Sequence, residues 1–333
     1  MKSILFVIVS ALVLVPAELL AQNSTVYVSV VSTKLFVVGA ANPETGLYYQ
    51  RTSGDTVWHH TGAKNIRAFS VAVHTPARGQ LICVGSGNGV HRTTDGGATW
   101  KITTGWEITE VLCVTIDPRN PDIIYCGTPY GVFRTSDGGA TWRECNNGLK
   151  QKFISSVIID HSDSKILLCS TEDGVYRSVD GGESWTRSGL SVGGVRVVVQ
   201  SPADPNVLFA GTDDYGIYVT RNGGRYWEKC EAGLDHSTFY TITFDPTNPQ
   251  VLYAGGYVTG VYKSVDGGQS WARKNDGLTN LNVHSIAVDP TNANRVYAGT
   301  QWGGVFRSDD GGNSWHNVGL NGSQVWTVTV QPF

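Results

Sequence analysis

From about residue 24 onward the chain is a succession of short runs in which apolar and polar positions alternate. Each run is bounded by Gly, Pro, Asn or Asp. Alternation over five or six residues closed by those residues is strand punctuation, not helix punctuation. The best-formed stretch runs from Val283 to Leu320. An alternating run reaches Asp289-Pro290, and a polar loop leads to Val296–Thr300. A short glycine loop precedes Gly304–Ser308, followed by the turn Asp309–Trp315 and a polar stretch ending at Gly319-Leu320. The pattern predicts four short antiparallel strands.

The same unit recurs along the chain. Trp58, Trp100, Trp142, Trp185, Trp227, Trp271 and Trp315 follow one another at intervals of 42 to 44 residues, which gives seven units. A period of this length marks a repeat architecture. A single four-stranded sheet of this size cannot bury both faces, whereas seven stacked radially bury each face against a neighbour and leave only short edges. The expected fold is therefore all-β, a seven-bladed β-propeller of four-stranded antiparallel blades. After the seventh unit, Val325–Val330 repeats the first-strand pattern with no second, third or fourth strand behind it. This last strand is expected to complete the blade begun near the N-terminus. Val26–Val31 also reads as a first strand, which makes both chain ends contribute to blade one.

Composition narrows the partners. Forty of the 333 residues are Gly and 16% are charged, against usual shares of about 7% and about 25%, as suits many tight turns between uncharged strands. With a net charge of −3 and no Lys/Arg run, the basic footprint of a nucleic-acid binder, or of a protein held on an anionic membrane, is missing. Lys2, the apolar stretch Ile4–Val15, Pro16 and Ala21 read as a secretory signal over residues 1–21, ahead of one propeller domain over 22–333. The product is expected to be secreted or periplasmic. The apolar stretch falls short of the roughly 20 residues a spanning helix needs, so no membrane span is expected after signal removal. Asn23 and Asn321 stand in Asn-x-Ser/Thr sites that a host with the machinery could glycosylate.

Six cysteines in an exported chain raise the question of disulfides. Cys126 and Cys169 occupy a slot that later units fill with Ala210, Ala254 and Ala298, which indicates packed free thiols. Cys113 and Cys126 fall on neighbouring strands, and Cys145 and Cys230 share a repeat position two units apart. No pairing follows from this.

The most specific signal is the octet Ser/Thr-x-Asp-Gly-Gly-x-Ser/Thr-Trp, found at 93–100, 135–142, 178–185, 264–271 and 308–315. At 220–227 Asn222 replaces the acid, and the first unit, with Asp55 before Trp58, is degenerate. The Asp side chain can accept hydrogen bonds from its own turn, the glycines tolerate positive φ, and the Trp supplies apolar surface between blades. At this octet the chain resembles the Asp-box, or BNR-repeat, propellers, which include sialidases, sortilin-type ectodomains, xyloglucan-degrading hydrolases and photosystem assembly factors. The resemblance covers essentially residues 24–333. It implies fold and not chemistry, because in that group the box is a structural hairpin that usually lies away from the ligand face. Asp95, Asp137, Asp180, Asp266 and Asp310 are accordingly expected to be structural. Calcium is the rival reading, but the spacing lacks the alternating oxygen ligands of an EF-hand loop.

Enzymatic readings find little. Resemblance to sialidases would call for three carboxylate-gripping arginines, a Tyr nucleophile with a Glu partner and an acid/base carboxyl. Here Arg92, Arg134, Arg177 and Arg307, with Lys263, recur at one strand position like a structural or solvated stripe. The Arg-Ile-Pro entry motif is absent, and the chain has residues for only one of the two propellers that face each other in xyloglucan-degrading relatives. A glycosidase needs two carboxyls flanking the scissile bond. The pairs Glu172-Asp173 and Asp213-Asp214 are adjacent in sequence and point apart. No Cys/His cluster has metal spacing, no Gly-x-Ser-x-Gly elbow occurs, and the glycine runs sit in hairpins rather than before a helix. His59-His60 reads as surface decoration. No catalytic residue, metal or cofactor is expected.

Propellers normally bind at one mouth of the central channel. Aligning the units on His284 gives an inner ring of Phe69, Leu112, Ser155, Arg196, Tyr240, His284 and Trp326. The loops joining second and third strands add Asn88, Tyr130, Asp173, Asp214, Tyr215, Tyr257 and Trp302. The inner ring differs at every blade, and positions free of the framework are where function can be written. Arg196, Tyr240, His284, Trp326, Tyr130, Tyr215, Trp302 and Asp214 are the expected ligand-binding residues, since aromatic and Arg anchors dominate interface energetics. Some of these rings could instead plug the channel. The sequence thus supports an exported, non-enzymatic scaffold that binds a protein segment or glycan at the channel mouth. The alternative is a glycoside hydrolase of the sialidase-like superfamily using carboxylates such as Asp173 or Asp214.

Overall fold

A computed structural model describes residues 23–33, 44–52, 55–75, 80–235 and 237–332. The leader expected over residues 1–21 lies outside the described residues. Seven four-stranded antiparallel sheets form a closed ring, the seven-bladed propeller that the tryptophan period predicts. Blades 2 to 7 each run in chain order from the channel outward, as in blade 7 with Val283–Asp289, Asn292–Thr300, Gly304–Ser308 and His316–Gly319. The innermost strands touch one another in sequence around the ring, and that of blade 1 touches both blade 2 and blade 7.

Blade 1 is assembled from the two ends of the chain. Its innermost strand is Ser323–Pro332, followed outward by Ser24–Thr33, Gly46–Arg51 and His59–Lys64. Val28 pairs with Val328 and Ser24 with Pro332. Val26–Val31 is thus the second strand of the closing blade and not its first.

The hydrophobic pattern explains the layering. Second strands such as Ile124–Thr128, Leu167–Thr171 and Leu208–Thr212 are buried at every position, because each lies mid-blade between two neighbouring sheets. Their Cys126, Cys169, Ala210, Ala254 and Ala298 are fully buried, and each faces an aromatic on the third strand: Phe133, Tyr176, Tyr218, Tyr262 and Phe306. A small residue opposite a ring keeps blade thickness constant. After all but Cys169, which Ser170 follows, the next residue is a glycine that lets the next blade close in. A Cβ on Gly299 would lie 2.4 Å from Val325 Cγ1, and one on Gly255 2.5 Å from Val283 Cγ1. All six cysteines are free thiols. Cys113 and Cys126 do lie on neighbouring strands, offset by one position.

The octets form the hairpins between third and fourth strands. Asp95 Oδ1 accepts from the Thr93 hydroxyl (2.6 Å) and the Thr99 amide (2.9 Å), and Oδ2 from the Thr99 hydroxyl (2.6 Å). Asp137, Asp180, Asp266 and Asp310 repeat this bonding. Asn222, with one carbonyl oxygen, keeps the Thr220 hydroxyl and the Tyr226 amide. The tryptophans that end these turns reach across the seams. The indole N–H of Trp100, Trp142, Trp185 and Trp315 donates to a carbonyl of the preceding blade's outer strand or just beyond it, at 2.8–3.1 Å. Trp58 donates to Val318 and so ties blade 1 to blade 7 at 2.8 Å. Two seams depart from this. Trp271 donates to its own turn at Gly268, and Trp227 Nε1 has no partner; there the Ser188 hydroxyl of blade 4 bonds the Gly224 carbonyl of blade 5 instead.

Candidate functional site at the channel mouth

Phe69, Arg196, Tyr240, His284 and Trp326 are the unpaired residues of register breaks in their innermost strands, where a bulge re-aims the side chain, and Leu112 and Ser155 immediately precede theirs. The residue after each ring position is usually small and hydroxylic, and several of these hydroxyls join consecutive blades. Ser70 accepts from the Val114 amide (3.1 Å) and Ser285 from the Val328 amide (2.9 Å), while Thr327 donates to the Phe69 carbonyl (2.9 Å). The inner wall is therefore knitted by side chain-to-backbone bonds, which hold the ring residues at fixed spacing.

A cavity of about 710 Å³ opens at this mouth, and all seven inner-ring residues line it. Four of them are in ring contact, edge-to-face, tilted or stacked. Phe69 packs against Trp326 at 5.6 Å between ring centroids, Trp326 against His284 at 4.9 Å, and His284 stacks on Tyr240 at 4.7 Å with a 22° interplanar angle. Tyr257, from the loop after the second strand of blade 6, continues the arc at 6.5 Å from Tyr240. Five rings from blades 2, 1, 7 and 6 thus form one wall. Leu112, Pro129 and Phe153 lie on the other side of the ring, from blades 3 and 4.

Charge is sparse. Burial pushes the His284 imidazole down to about 4, so it is neutral at physiological pH and stacks as an aromatic ring. Arg196 forms an ion pair with Asp213, and that hydrogen bond holds its pKa above the ordinary guanidinium value. The Tyr240 phenol is raised by burial first and by the Asp213 charge second. Arg67 lies over the Phe69 ring at 5.2 Å. Glu110 is the one carboxylate among the described lining residues.

The loop residues fare differently. Tyr257 lines the cavity, but Tyr130, Tyr215, Trp302 and Asp214 do not. Tyr130 and Tyr215 are at least half exposed beyond the cavity. Asp214 adopts φ 59° and bonds Thr238, its Oδ1 accepting from that hydroxyl at 3.1 Å. Asp173 accepts from Thr171 and Tyr176 within its own blade. Arg67, Glu110, Phe153 and Gln324 also line the cavity without having been singled out. Each stands two residues before a ring residue, and Arg67, Glu110 and Phe153 lie ahead of the innermost strand, so the constant offset, not strand alternation, is the signal that finds them.

No protein-family model matches this chain, and no curated protein sequence matches it. Solved structures do. A GH74 enzyme from Niastella koreensis is 21% identical with a TM-score of 0.63, over 78% of this chain and 45% of that one. YCF48 bound to D1 peptide is 18% identical with a TM-score of 0.57, over 75% and 81% of the two chains. YCF48 from Cyanidioschyzon merolae is 16% identical with a TM-score of 0.57, over 79% and 86%. This chain therefore matches less than half the length of the GH74 enzyme. At these identities the likeness establishes the class of fold, a β-propeller.

Proposed function

We propose that this protein is an exported binding propeller of the Asp-box, or BNR-repeat, kind that captures a protein segment at the channel mouth without chemically altering it. The observation that carries the reading is the continuous arc Phe69, Trp326, His284, Tyr240 and Tyr257 along the wall of the cavity. Flat apolar faces with few charges suit side chains inserted from a partner, and aromatic anchors supply most of the energy in such contacts. The YCF48 structure, which matches over most of both chains, is of a propeller bound to a peptide. A glycan could stack on the same rings. The hydrolase reading has less support: a glycosidase needs two carboxyls about 5–10 Å apart across the scissile bond, and among the described residues the lining offers Glu110 alone.

The test is capture of ligand by the mature domain on a peptide array and a glycan array, repeated with Tyr240→Ala/Trp326→Ala. Binding of extended peptides that disappears in the folded double variant is expected. Undiminished binding moves the site elsewhere on the ring. Binding confined to the glycan array replaces the peptide by a sugar.

A further inference from the structure

Residues 103–110, Thr-Thr-Gly-Trp-Glu-Ile-Thr-Glu, join the outer strand of blade 2, Lys101–Ile102, to the innermost strand of blade 3, Cys113–Ile116. The loop crosses the mouth face and is pinned to blade 2 at both ends. The Thr103 amide donates to the Val90 carbonyl (2.9 Å), and the Thr104 hydroxyl accepts from the Val90 amide (3.1 Å). Further on, the Glu110 and Val111 amides donate to the carbonyls of Gly87 (3.1 Å) and Ser86 (2.9 Å). Ile108 and Val111 are buried. Between these anchors the Ile108 amide closes a turn on the Gly105 carbonyl (3.2 Å), which leaves Trp106 and Glu107 at its tip.

Trp106 is 87% exposed, more than any other large apolar side chain among the described residues. Folding usually covers most of a tryptophan, and here a well-held turn presents one to solvent. Glu107 is exposed at the same tip, and Glu110 lies on the cavity wall. Glu110 has a φ of 52°, the left-handed region in which blade 5 places Gly194 (φ 59°), likewise two residues before its ring residue. A glycine holds that backbone without strain, yet blade 3 has a carboxylate there. The loop contains no Lys or Arg, and neither glutamate has an ion-pair partner among the described residues. Arg67 flanks Gly87 beside Glu110, but its guanidinium lies over the Phe69 ring. The next cations along the rim, Lys150 and Lys152, belong to the loop that enters blade 4.

We infer that this loop selects a lysine or arginine in the segment captured at the mouth, at the point where the segment leaves the cavity over blade 2. The inference rests on that capture and narrows its partner to a segment with a basic residue beside its apolar ones. The loop itself marks the path, with Glu110 on the cavity wall and Trp106 four residues away on the rim. The partner's cation lies over the indole, the ring that attracts a cation most strongly, and its aliphatic stem covers apolar surface that is otherwise wet. Glu107 and Glu110 supply the negative field. An acidic residue at the same place meets two like charges and is rejected.

The probes are biotinylated octapeptide amides of mixed Phe, Tyr, Leu and Ser in which one position at a time is fixed as Lys, norleucine or Glu, measured with the full protein by biolayer interferometry. Lys toward one end is expected to bind about fivefold tighter than norleucine at that position, and Glu more weakly than both. Added salt reduces the difference. In Trp106→Ser, and separately in Glu107→Gln/Glu110→Gln, the Lys-to-norleucine ratio is expected to fall to about twofold or less, with melting curves reporting that each variant is folded. Peptide capture with no preference for Lys, a preference for Glu, or a Lys preference that survives both variants overturns the selection and leaves the mouth reading standing. Capture of no peptide overturns that reading and the selection together. Lys-dependent capture that persists in Tyr240→Ala/Trp326→Ala overturns the placement of the loop at the exit of the cavity.

Discussion

His91 occupies the third-strand slot that Phe133, Tyr176, Tyr218, Tyr262 and Phe306 fill in other blades, but it faces Val84 instead of Cys or Ala. Its Nε2 is buried without a partner, and burial lowers its pKa from the ordinary imidazole value. An unfolded chain takes up that proton near pH 6.5, while the folded protein resists it. The stability involved is complete above about pH 6.5 and is lost as pH falls below that value. His284, held at about 4, acts in the same direction over the window from about 6.5 to 4. The turn acids respond lower still. The Ser184 and Ser270 hydroxyls hold Asp180 and Asp266 at about 2, so their contribution is present above the ordinary carboxyl range and disappears on further acidification. His91→Phe is therefore expected to raise the melting temperature at neutral pH and to reduce its fall between about pH 7 and pH 4.5. Melting curves across that range check it, and an unaltered pH slope would show that His91 is not a source of the loss.

The turn with its tryptophan is the element that makes a blade addressable from its neighbour. Trp315 is buried and bonded across its seam to the Lys274 carbonyl, whereas Trp227 is equally buried and its N–H has no partner. Trp315→Ala is expected to cost about 3–5 kcal/mol, as for other emptied aromatic sites. The bond itself is isolated by phenylalanine: Trp315→Phe loses about 1 kcal/mol more than Trp227→Phe, because only the former gives up a hydrogen bond. Denaturant unfolding of the four proteins measures this, and equal losses at the two sites would remove the bond from the account. These elements were legible in sequence, since Trp and Asp-Gly-Gly leave a period that survives loop variation. The inner ring was legible for the same reason, being anchored to strands in register. The loops between second and third strands were not. They differ in length, and Asp214, Val258 and Trp302 take left-handed φ values of 59°, 52° and 68°, which redirects side chains in ways that repeat alignment does not carry.

Across the whole molecule the ring is closed by the pairing of Ser24–Thr33 with Ser323–Pro332, helped by the Ser24 hydroxyl on Asp289 (2.8 Å) and by Trp58 on Val318. A chain cut after Gly322 lacks the innermost strand of blade 1, and the apolar faces of blades 2 and 7 that it covers are exposed. Such a chain is expected to lose cooperative unfolding and to regain it when a synthetic peptide of residues 323–332 is added, with circular dichroism melts as the readout. A truncated protein that melts as sharply as the intact one would mean that the ring needs no clasp. The clasp also sets a timetable. Trp326, one ring of the aromatic arc, belongs to the strand that follows all the others of the ring, so until the ribosome has passed Pro332 neither a finished torus nor its mouth exists. A product terminated before Ser323 would lack both the closing strand and one ring of the arc, so an intact mouth reports that synthesis has passed the clasp.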